Sequence, residues 1–304
     1  MSDSSSTPSA GHAYLLLTGT ATCWAFNAIF GQLAVGEVSP MALVGFRWVL
    51  VVAMMGLVAR KHVIRDWPVL KSRLWFVGFA GMLGFTVFNG LFYIAAHGTS
   101  GVNVGILQGS IPVFVLLGAF IMFRTPVTWM QAAGVAVTLV GVVAVAVRGD
   151  LDLLVALAIN WGDALMLLAC VIYAGYTVAL RKRPQVSPLG MFTVMAVFAL
   201  LTAIPLVGIE IALGQFQIPT PKGWGVIVLV ALFPSFIAQI FFIQGVGIIG
   251  PGRAGIFVNL VPIFAAALAV LVLGEPFEPY HLAALVLVLG GIWISEKGKS
   301  SNPA

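Results

Sequence analysis

Gly105-Ile106-Leu107-Gln108-Gly109-Ser110-Ile111-Pro112-Val113-Phe114 and Gly255-Ile256-Phe257-Val258-Asn259-Leu260-Val261-Pro262-Ile263-Phe264 lie 150 residues apart. Gly105-Ile106 falls on Gly255-Ile256, Pro112 on Pro262 and Phe114 on Phe264, and the register continues without a gap through Pro126 and Pro276, Leu139 and Leu289, and Gly141 and Gly291. Apolar composition explains chance matches of Leu, Val and Ala. It does not explain prolines and glycines falling repeatedly into one register, so the chain reads as two copies of one unit.

Each copy is apolar throughout. Hydrophobic residues make up 61% of the 304 and charged residues 8%, against about 25% charged in an ordinary soluble protein. Too little polar surface is available to face water, so lipid must cover the outside. The chain therefore reads as an all-α integral membrane protein. A hydrocarbon core of about 30 Å takes roughly 20 helical residues to cross. Stretches of that length lie near 14–35, 40–60, 74–96, 102–123, 128–147, 162–180, 188–212, 224–246, 252–273 and 279–295, which makes ten helices. Long runs without alternation exclude a β-barrel. The domain reading is a disordered tail over 1–13, a first repeat over 14–148, a connecting loop over 149–161, a second repeat over 162–296 and a tail over 297–304.

Five helices per copy is an odd number, so the second copy enters the membrane upside down. Ten helices in two inverted five-helix repeats place a binding site near the midplane between the halves. With the N-terminus in the cytoplasm, that side receives Arg60, Lys61, Arg65, Lys71, Arg73, Arg124, Arg181, Lys182, Arg183, Arg253, Lys297 and Lys299, whereas the far side keeps Arg148 and Lys222. This bias puts both termini in the cytoplasm. Residues 61–73 read as a basic loop. Nucleic acid is not a fitting partner for charge distributed in this way. Cys23 and Cys170 sit in apolar stretches without metal or disulfide spacing, and no cofactor or metal is expected.

Pro112 and Pro262 lie about ten residues into their helices, where a proline removes one backbone hydrogen bond. Their symmetric placement reads as a pair of hinges, with a plain packing kink as the alternative. Gly101, Gly105, Gly109, Gly250, Gly252 and Gly255 permit close helix contact around them.

Polar residues inside apolar spans give the candidate substrate-binding set. Asn89 and Tyr93 share one face of the third helix, with His97 beyond them towards the interface. At an offset of 150, Asn89 falls on Gln239, so both halves place a carboxamide at one point, able to bind either end of a zwitterion. Trp24, Asn27, Gln108, Tyr173, Tyr176 and Asn259 complete an aromatic and amide set, with Trp24 and Tyr173 equivalent at an offset of 149. Each of these also has a plain packing role open to it. Arg47 is a charge well inside a span, and burying it costs several kcal/mol unless it is paired. Backbone carbonyls, an acid such as Asp163, or the carboxylate of a substrate would each serve.

Trp24-Ala25-Phe26-Asn27, Arg47, Asn89-Gly90-Leu91 with Tyr93, the Pro112 helix, and Pro262 followed by Leu273-Gly274-Glu275-Pro276 and Gly290-Gly291 resemble the EamA-type branch of the drug/metabolite transporter superfamily. Within it the chain is most similar to bacterial YddG-type exporters of aromatic and other neutral amino acids. The resemblance implies a bacterial inner-membrane exporter with a central cavity lined by helices 1, 3, 4, 6, 8 and 9. One departure is visible: Arg124-Thr125-Pro126 stands where the second copy has Gly274-Glu275-Pro276. Glu275 therefore reads as a turn residue rather than part of a transport site.

The leading expectation is an alternating-access carrier of neutral or zwitterionic solutes, amino acids foremost, in contact with the lipid bilayer, with a monomer as the working state. No Asp or Glu lies at mid-span to couple protons. Hydrophobic drugs or other metabolites are the alternative cargo. A phosphorylated substrate would want more basic residues than Arg47. A pore would need continuous polar rings. An enzyme would need a catalytic constellation, and Gly-x-Ser-x-Gly, HExxH and paired intramembrane aspartates are all missing from the sequence. A structural membrane protein without transport is the remaining reading from another class.

Overall fold

The computed structural model describes residues 10–147, 150, 160–249, 254 and 257–298. Arg148, Asp152, Arg253, Lys299, Gly250, Gly252 and the Gly255-Ile256 limb of the repeat lie outside the described residues, as do 1–9 and 299–304.

The elements are α1 (Ala10–Ala34), α2 (Pro40–Val58), α3 (Arg60–Ser72), α4 (Leu74–Ala95), α5 (Gly101–Gln108), α6 (Ile111–Phe123), α7 (Trp129–Ala146), α8 (Trp161–Ala179), α9 (Pro188–Ala212), α10 (Pro221–Ile249), α11 (Val261–Leu273) and α12 (Pro279–Lys297). Among the described residues eight helical spans are long and apolar enough to cross a membrane, counting α5 and α6 as one. The apolar stretches in α7 and α11 are shorter. The starts are set by local chemistry. Pro40, Pro188, Pro221 and Pro279 each stand in the first turn of a helix, where their missing N–H has no intrahelical partner to lose. The side chains of Ser100, Thr128, Asn160, Ser187 and Thr220 accept hydrogen bonds from first-turn amides, the usual role of such residues at a helix N-terminus. Helix α1 opens at Ala10, ahead of its expected start at 14.

The basic loop expected over 61–73 is instead helix α3. It buries Asp66 and Leu70 and leaves Ile64, Trp67 and Val69 exposed. Its apolar residues are too few and too interleaved with charge to read as a span, and helicity here comes from packing one face on α9.

The two halves pack through each other. Helix α7 lies along α12 and α2 along α9, each beside its own counterpart, and α5 lies along α11. The remaining contacts exchange in pairs: α1 meets α10 and α11, as α8 meets α4 and α6. The glycines of the sequence repeat are contact points in this arrangement. A Cβ on Gly134 would lie 2.4 Å from the Gly291 carbonyl oxygen, and one on Gly141 would lie 2.9 Å from that of Ala284. Small residues let backbones approach in this way where lipid offers no hydrophobic drive.

Two further features recur at equivalent depth. Helix α4 widens into a π-helical segment over Met82–Val87 and α10 does so over Ala231–Ile237. Helices α6 and α11 both end in left-handed residues, Arg124 (φ 53°) and Gly274 (φ 66°). The following amides, of Thr125 and Glu275, reach back to the carbonyls of Ala119 and Ala269. The departure at Arg124-Thr125 thus changes side chains while the backbone turn is retained.

The proline expectation needs correction. Pro112 and Pro262 do not break a continuous helix from within. The interruption falls at Gly109-Ser110 and at Asn259-Leu260. Each proline is the second residue of the helix that restarts after it, a position that tolerates it.

Candidate functional site

Arg47 lies seven residues into α2, about 10 Å along the helix from Pro40, and is 5% exposed. Its Nε donates to Ser235 Oγ at 2.7 Å. Its Nη1 donates to Asn89 Oδ1 and to Tyr93 Oη, both at 2.6 Å, and to Asn27 Oδ1 at 3.3 Å. Tyr93 Oη in turn donates to Asn27 Oδ1 at 3.0 Å. Four helices, α1, α2, α4 and α10, thus meet at one guanidinium, and the partner from α10 joins the second half to the first. Asp163 is not its partner. That carboxylate is bound by Thr99 Oγ1 and by Asn103 Nδ2. The Arg47 charge is therefore solvated by amide, phenol and hydroxyl dipoles, which offset a desolvation cost of several kcal/mol.

The π-helical segments build this arrangement. Widening the helix frees carbonyls from the ordinary ladder, and π-bulges occur frequently at functional sites. Ser235, within the second segment, donates to the carbonyl of Val230 five residues back, which leaves its lone pairs for Arg47. Asn89, just beyond the first segment, donates from Nδ2 to the Phe85 carbonyl at 2.6 Å, which turns Oδ1 towards the guanidinium.

Aromatic rings extend the site towards α8. Trp48 stacks on Phe85 at 4.9 Å, Phe85 meets Tyr176, Tyr176 meets Tyr173 at 5.3 Å, and Tyr173 meets Phe88 at 4.8 Å. From Phe88 the chain of rings returns through Phe92 to Tyr93. The Trp48 indole N–H is buried and has no hydrogen-bond partner among the described residues. Trp24 packs on Phe242 at the α1–α10 contact, one turn from Asn27.

The sequence-derived set is therefore divided. Asn27, Arg47, Asn89 and Tyr93 come together, with Tyr173 and Tyr176 linked to them through Phe85 and Phe88. Gln108 and Asn259 flank or form the breaks in the fourth helix of each half, and Gln108 returns its amide to the Val104 carbonyl. The symmetric carboxamide pair is not realised. Asn89 has both ends engaged by the protein, while Gln239 is half-buried and outside the Arg47 cluster. The reason is that position 197, the counterpart of Arg47, is Val, so the second half has no cation to recruit it. His97 and Gln244 are exposed.

Two equal-length units of this kind, packed counterpart against counterpart, are the pattern of a duplicated transporter. Residues 11–147 and 160–296 each match the EamA-like transporter family. The chain belongs to that family. It is a multi-pass membrane transporter rather than an enzyme. Similar proteins include two from Bacillus subtilis strain 168 named as uncharacterized transporters. YetK is 25% identical over 288 residues, covering 93% of this chain and 86% of that protein. YyaM is 25% identical over 284 residues, covering 92% of each. A solved crystal structure shares the fold with a TM-score of 0.63 at 20% identity, covering 93% of this chain and 96% of that one.

Within this EamA-like chain, sequence reasoning missed Ser235. A lone serine in an apolar helix carries no signal. The signal that was present is Pro234 beside it, a residue that disrupts the regular ladder in mid-span. It also missed the cross-half cluster of Asp163, Asn103, Thr99 and His281. There Asn103 Oδ1 lies 3.1 Å from His281 Nε2, whose Nδ1 accepts from the Glu278 amide at 3.0 Å.

Proposed function

We propose that the chain is an alternating-access carrier of ten membrane-crossing helices in two inverted halves. In this reading the repeats span 14–148 and 162–296, and both termini lie on the cytoplasmic side of a bacterial inner membrane. The cargo is a small neutral or zwitterionic solute, an amino acid in the first instance, moved outward. The observation that carries the reading is the pairing of interruptions: π-helical segments at 82–87 and 231–237, and breaks at 109–110 and 259–260, occupy the same places in both copies. Inverted repeats with equivalent interruptions are what two mirror-related states require, since each half must be able to adopt the shape the other holds. Breaks ahead of Pro112 and Pro262 are the points about which the fourth helices pivot.

Arg47, with the Asn27 and Asn89 amides and the Tyr93 phenol around it, would face a carboxylate. The rings of Tyr173, Tyr176 and Trp24 would lie against an apolar or aromatic side chain. Gln108, Asn259 and Gln239 complete the polar lining in this reading. Hydrophobic drugs form the second reading, favoured by the continuous aromatic path from Trp48 to Tyr93.

Uptake of radiolabelled neutral and aromatic amino acids into proteoliposomes, with and without a proton gradient, tests the reading. Saturable flux that needs no gradient and collapses in Asn27→Ala/Tyr173→Ala supports it. No flux of any amino acid, with flux of lipophilic amines intact, moves the assignment to drugs.

A further inference from the structure

A groove between α4 and α9 has no part in the proposed transport site. Its volume is about 300 Å³, and Leu74, Trp75, Gly78, Phe79, Met82 and Phe198 line it. The walls are hydrocarbon and aromatic. The hydroxyl at its edge, on Thr202, is already engaged by the Phe198 carbonyl at 2.8 Å. Trp75 is 82% and Phe79 51% exposed, so the groove opens sideways, where a membrane protein meets lipid. Its depth comes from Gly78. A Cβ there would approach the Phe198 ring to 3.0 Å.

The polar surroundings are of one sign. Lys71 and Arg73 are exposed immediately before Leu74, and Arg60 and Lys61 are exposed at the start of α3. The acid on this stretch, Asp66, is occupied by Arg65 at 2.9 Å and by the N-terminus of α9. Among the described residues none of Arg60, Lys61, Lys71 and Arg73 has a carboxylate within ion-pair distance. Helix α3 exposes Ile64, Trp67 and Val69 beside these charges, the composition of a helix lying in the plane of a membrane surface.

We propose that the α4–α9 groove holds an acyl chain of an anionic phospholipid whose headgroup rests on Lys71 and Arg73. An apolar groove open to the bilayer takes a chain. Uncompensated basic residues at its polar end select a negatively charged headgroup over a zwitterionic one. The occupant touches the helix that carries part of the proposed site, because Met82 begins the π-helical segment of α4 and the same helix carries Asn89 and Tyr93. The bound lipid braces α4 against α9 on the side away from Arg47.

Native mass spectrometry of the full chain in detergent, titrated with phosphatidylglycerol or phosphatidylcholine of the same acyl composition, tests this. One phosphatidylglycerol is expected to be retained well below the concentration at which phosphatidylcholine is. Lys71→Gln/Arg73→Gln should weaken it about thirtyfold, from about fivefold for each basic residue near an anionic surface, and leave phosphatidylcholine unchanged. Leu74→Trp, which fills the end of the groove beside Arg73, should weaken both lipids. Equal retention of the two lipids by the unaltered protein overturns the proposal, and so does retention of phosphatidylglycerol that ignores the charge substitutions. Binding of glycerol 3-phosphate as tight as the lipid overturns it too, since the acyl groove then contributes nothing. The charge variants alter exposed side chains only, so the result does not depend on Leu74→Trp folding.

Discussion

Asp66 and Glu210 perform the same service for opposite halves. Glu210, in the last turn of α9, accepts from the Met41 and Ala42 amides at 2.9 and 3.1 Å and from Ser39 Oγ at 2.7 Å at the start of α2. Asp66, in α3 just beyond the end of α2, accepts from the Ser187 amide at 2.8 Å and from its hydroxyl at the start of α9. Each carboxylate satisfies orphan amides and complements the positive end of a helix dipole. Both ends of the α2–α9 pair are therefore fastened at once, which makes it a spine of the fold.

Removing one fastening should loosen the spine. Asp66→Asn is expected to lower the thermal midpoint in detergent by about 2–4 °C, taking about 1 kcal/mol for a helix cap and the usual dependence of midpoint on free energy. The hydrogen bonds of Arg65 and Ser187 hold the Asp66 carboxyl down from 3.8 to about 2. A depressed carboxylate stabilises the fold fully above its unfolded value and loses that contribution as pH falls through its folded one. The gap between wild type and Asp66→Asn should thus be constant above about pH 4 and close between pH 4 and 2. A gap that persists at pH 2 would assign it to packing instead.

Arg47 makes a different prediction, because its partners are neutral and spread over three helices. Arg47→Lys keeps the charge but offers one ammonium in place of a fork reaching Ser235 and Asn89 together. Transport is expected to fall by about tenfold or more, since a hydrogen bond to a charged group is worth roughly 1.5–3 kcal/mol. Ser235→Ala should fall less, because Nη1 keeps its three acceptors. Initial rates in proteoliposomes, normalised to reconstituted protein, decide it. Equal losses in both would place the weight of the cluster on the Arg47–Ser235 bond alone.

The helices were legible in the sequence because lipid demands long apolar runs, and the duplication was legible because Pro112 and Pro262, and Gly141 and Gly291, hold one register. Asn27, Arg47, Asn89 and Tyr93 were legible for the same reason, as polar side chains in such runs must find partners. What was hidden is what depends on a neighbour. Helix α3 forms against α9, so its own thirteen residues do not announce it. The π-helical segments shift which side chains face Arg47, and a regular period cannot locate them, so Ser235 went unseen; Gln239 stays out of the cluster because Val197 gives the second half no cation. The breaks two residues ahead of the prolines follow from the same limit: a proline marks an irregularity without stating on which side the ladder fails.

Gly81 offers a test of how tightly the first π-helical segment is held. It stands one residue before that segment, and a Cβ there would lie 2.3 Å from the backbone oxygen of Met195 on α9. A backbone atom cannot rotate away, so Gly81→Ala must push α4 off α9. It is expected to lose most folded yield in detergent, as overpacking of about 1–3 kcal/mol or more predicts. Gly208→Ala, at a helical position with nothing within 4 Å, should keep full yield. Normal behaviour of Gly81→Ala would mean that the two helices can separate without cost.

A cluster of polar ties joins the halves where α5 begins. Glu275 accepts from the Gly101 and Val102 amides at 2.8 and 2.9 Å, Thr99 and Asn103 hold Asp163, and His281 reaches Asn103. Every one of these bonds ties residues 99–103 of the first half to the second. At an offset of 150 the counterparts of Glu275, Asp163, Thr99 and His281 are Thr125, Ala13, Ile249 and Gln131, which cannot supply the same carboxylates. Among the described residues the polar lock at this end therefore has no equivalent at the other. In an alternating-access carrier this end should open the less readily of the two. Giving Glu275 the side chain of its counterpart should relax it. Val104 is 1% exposed one turn inside the lock, so Val104→Cys, with Cys23 and Cys170 replaced by Ala, reports opening through its rate of modification by a membrane-impermeant thiol reagent. Adding Glu275→Thr is expected to raise that rate severalfold while lowering the thermal midpoint by no more than the roughly 2–4 °C of a lost helix cap. An unchanged rate would show that Asp163 and Asn103 hold the end closed without Glu275, and a larger loss of thermal midpoint would show unfolding rather than opening.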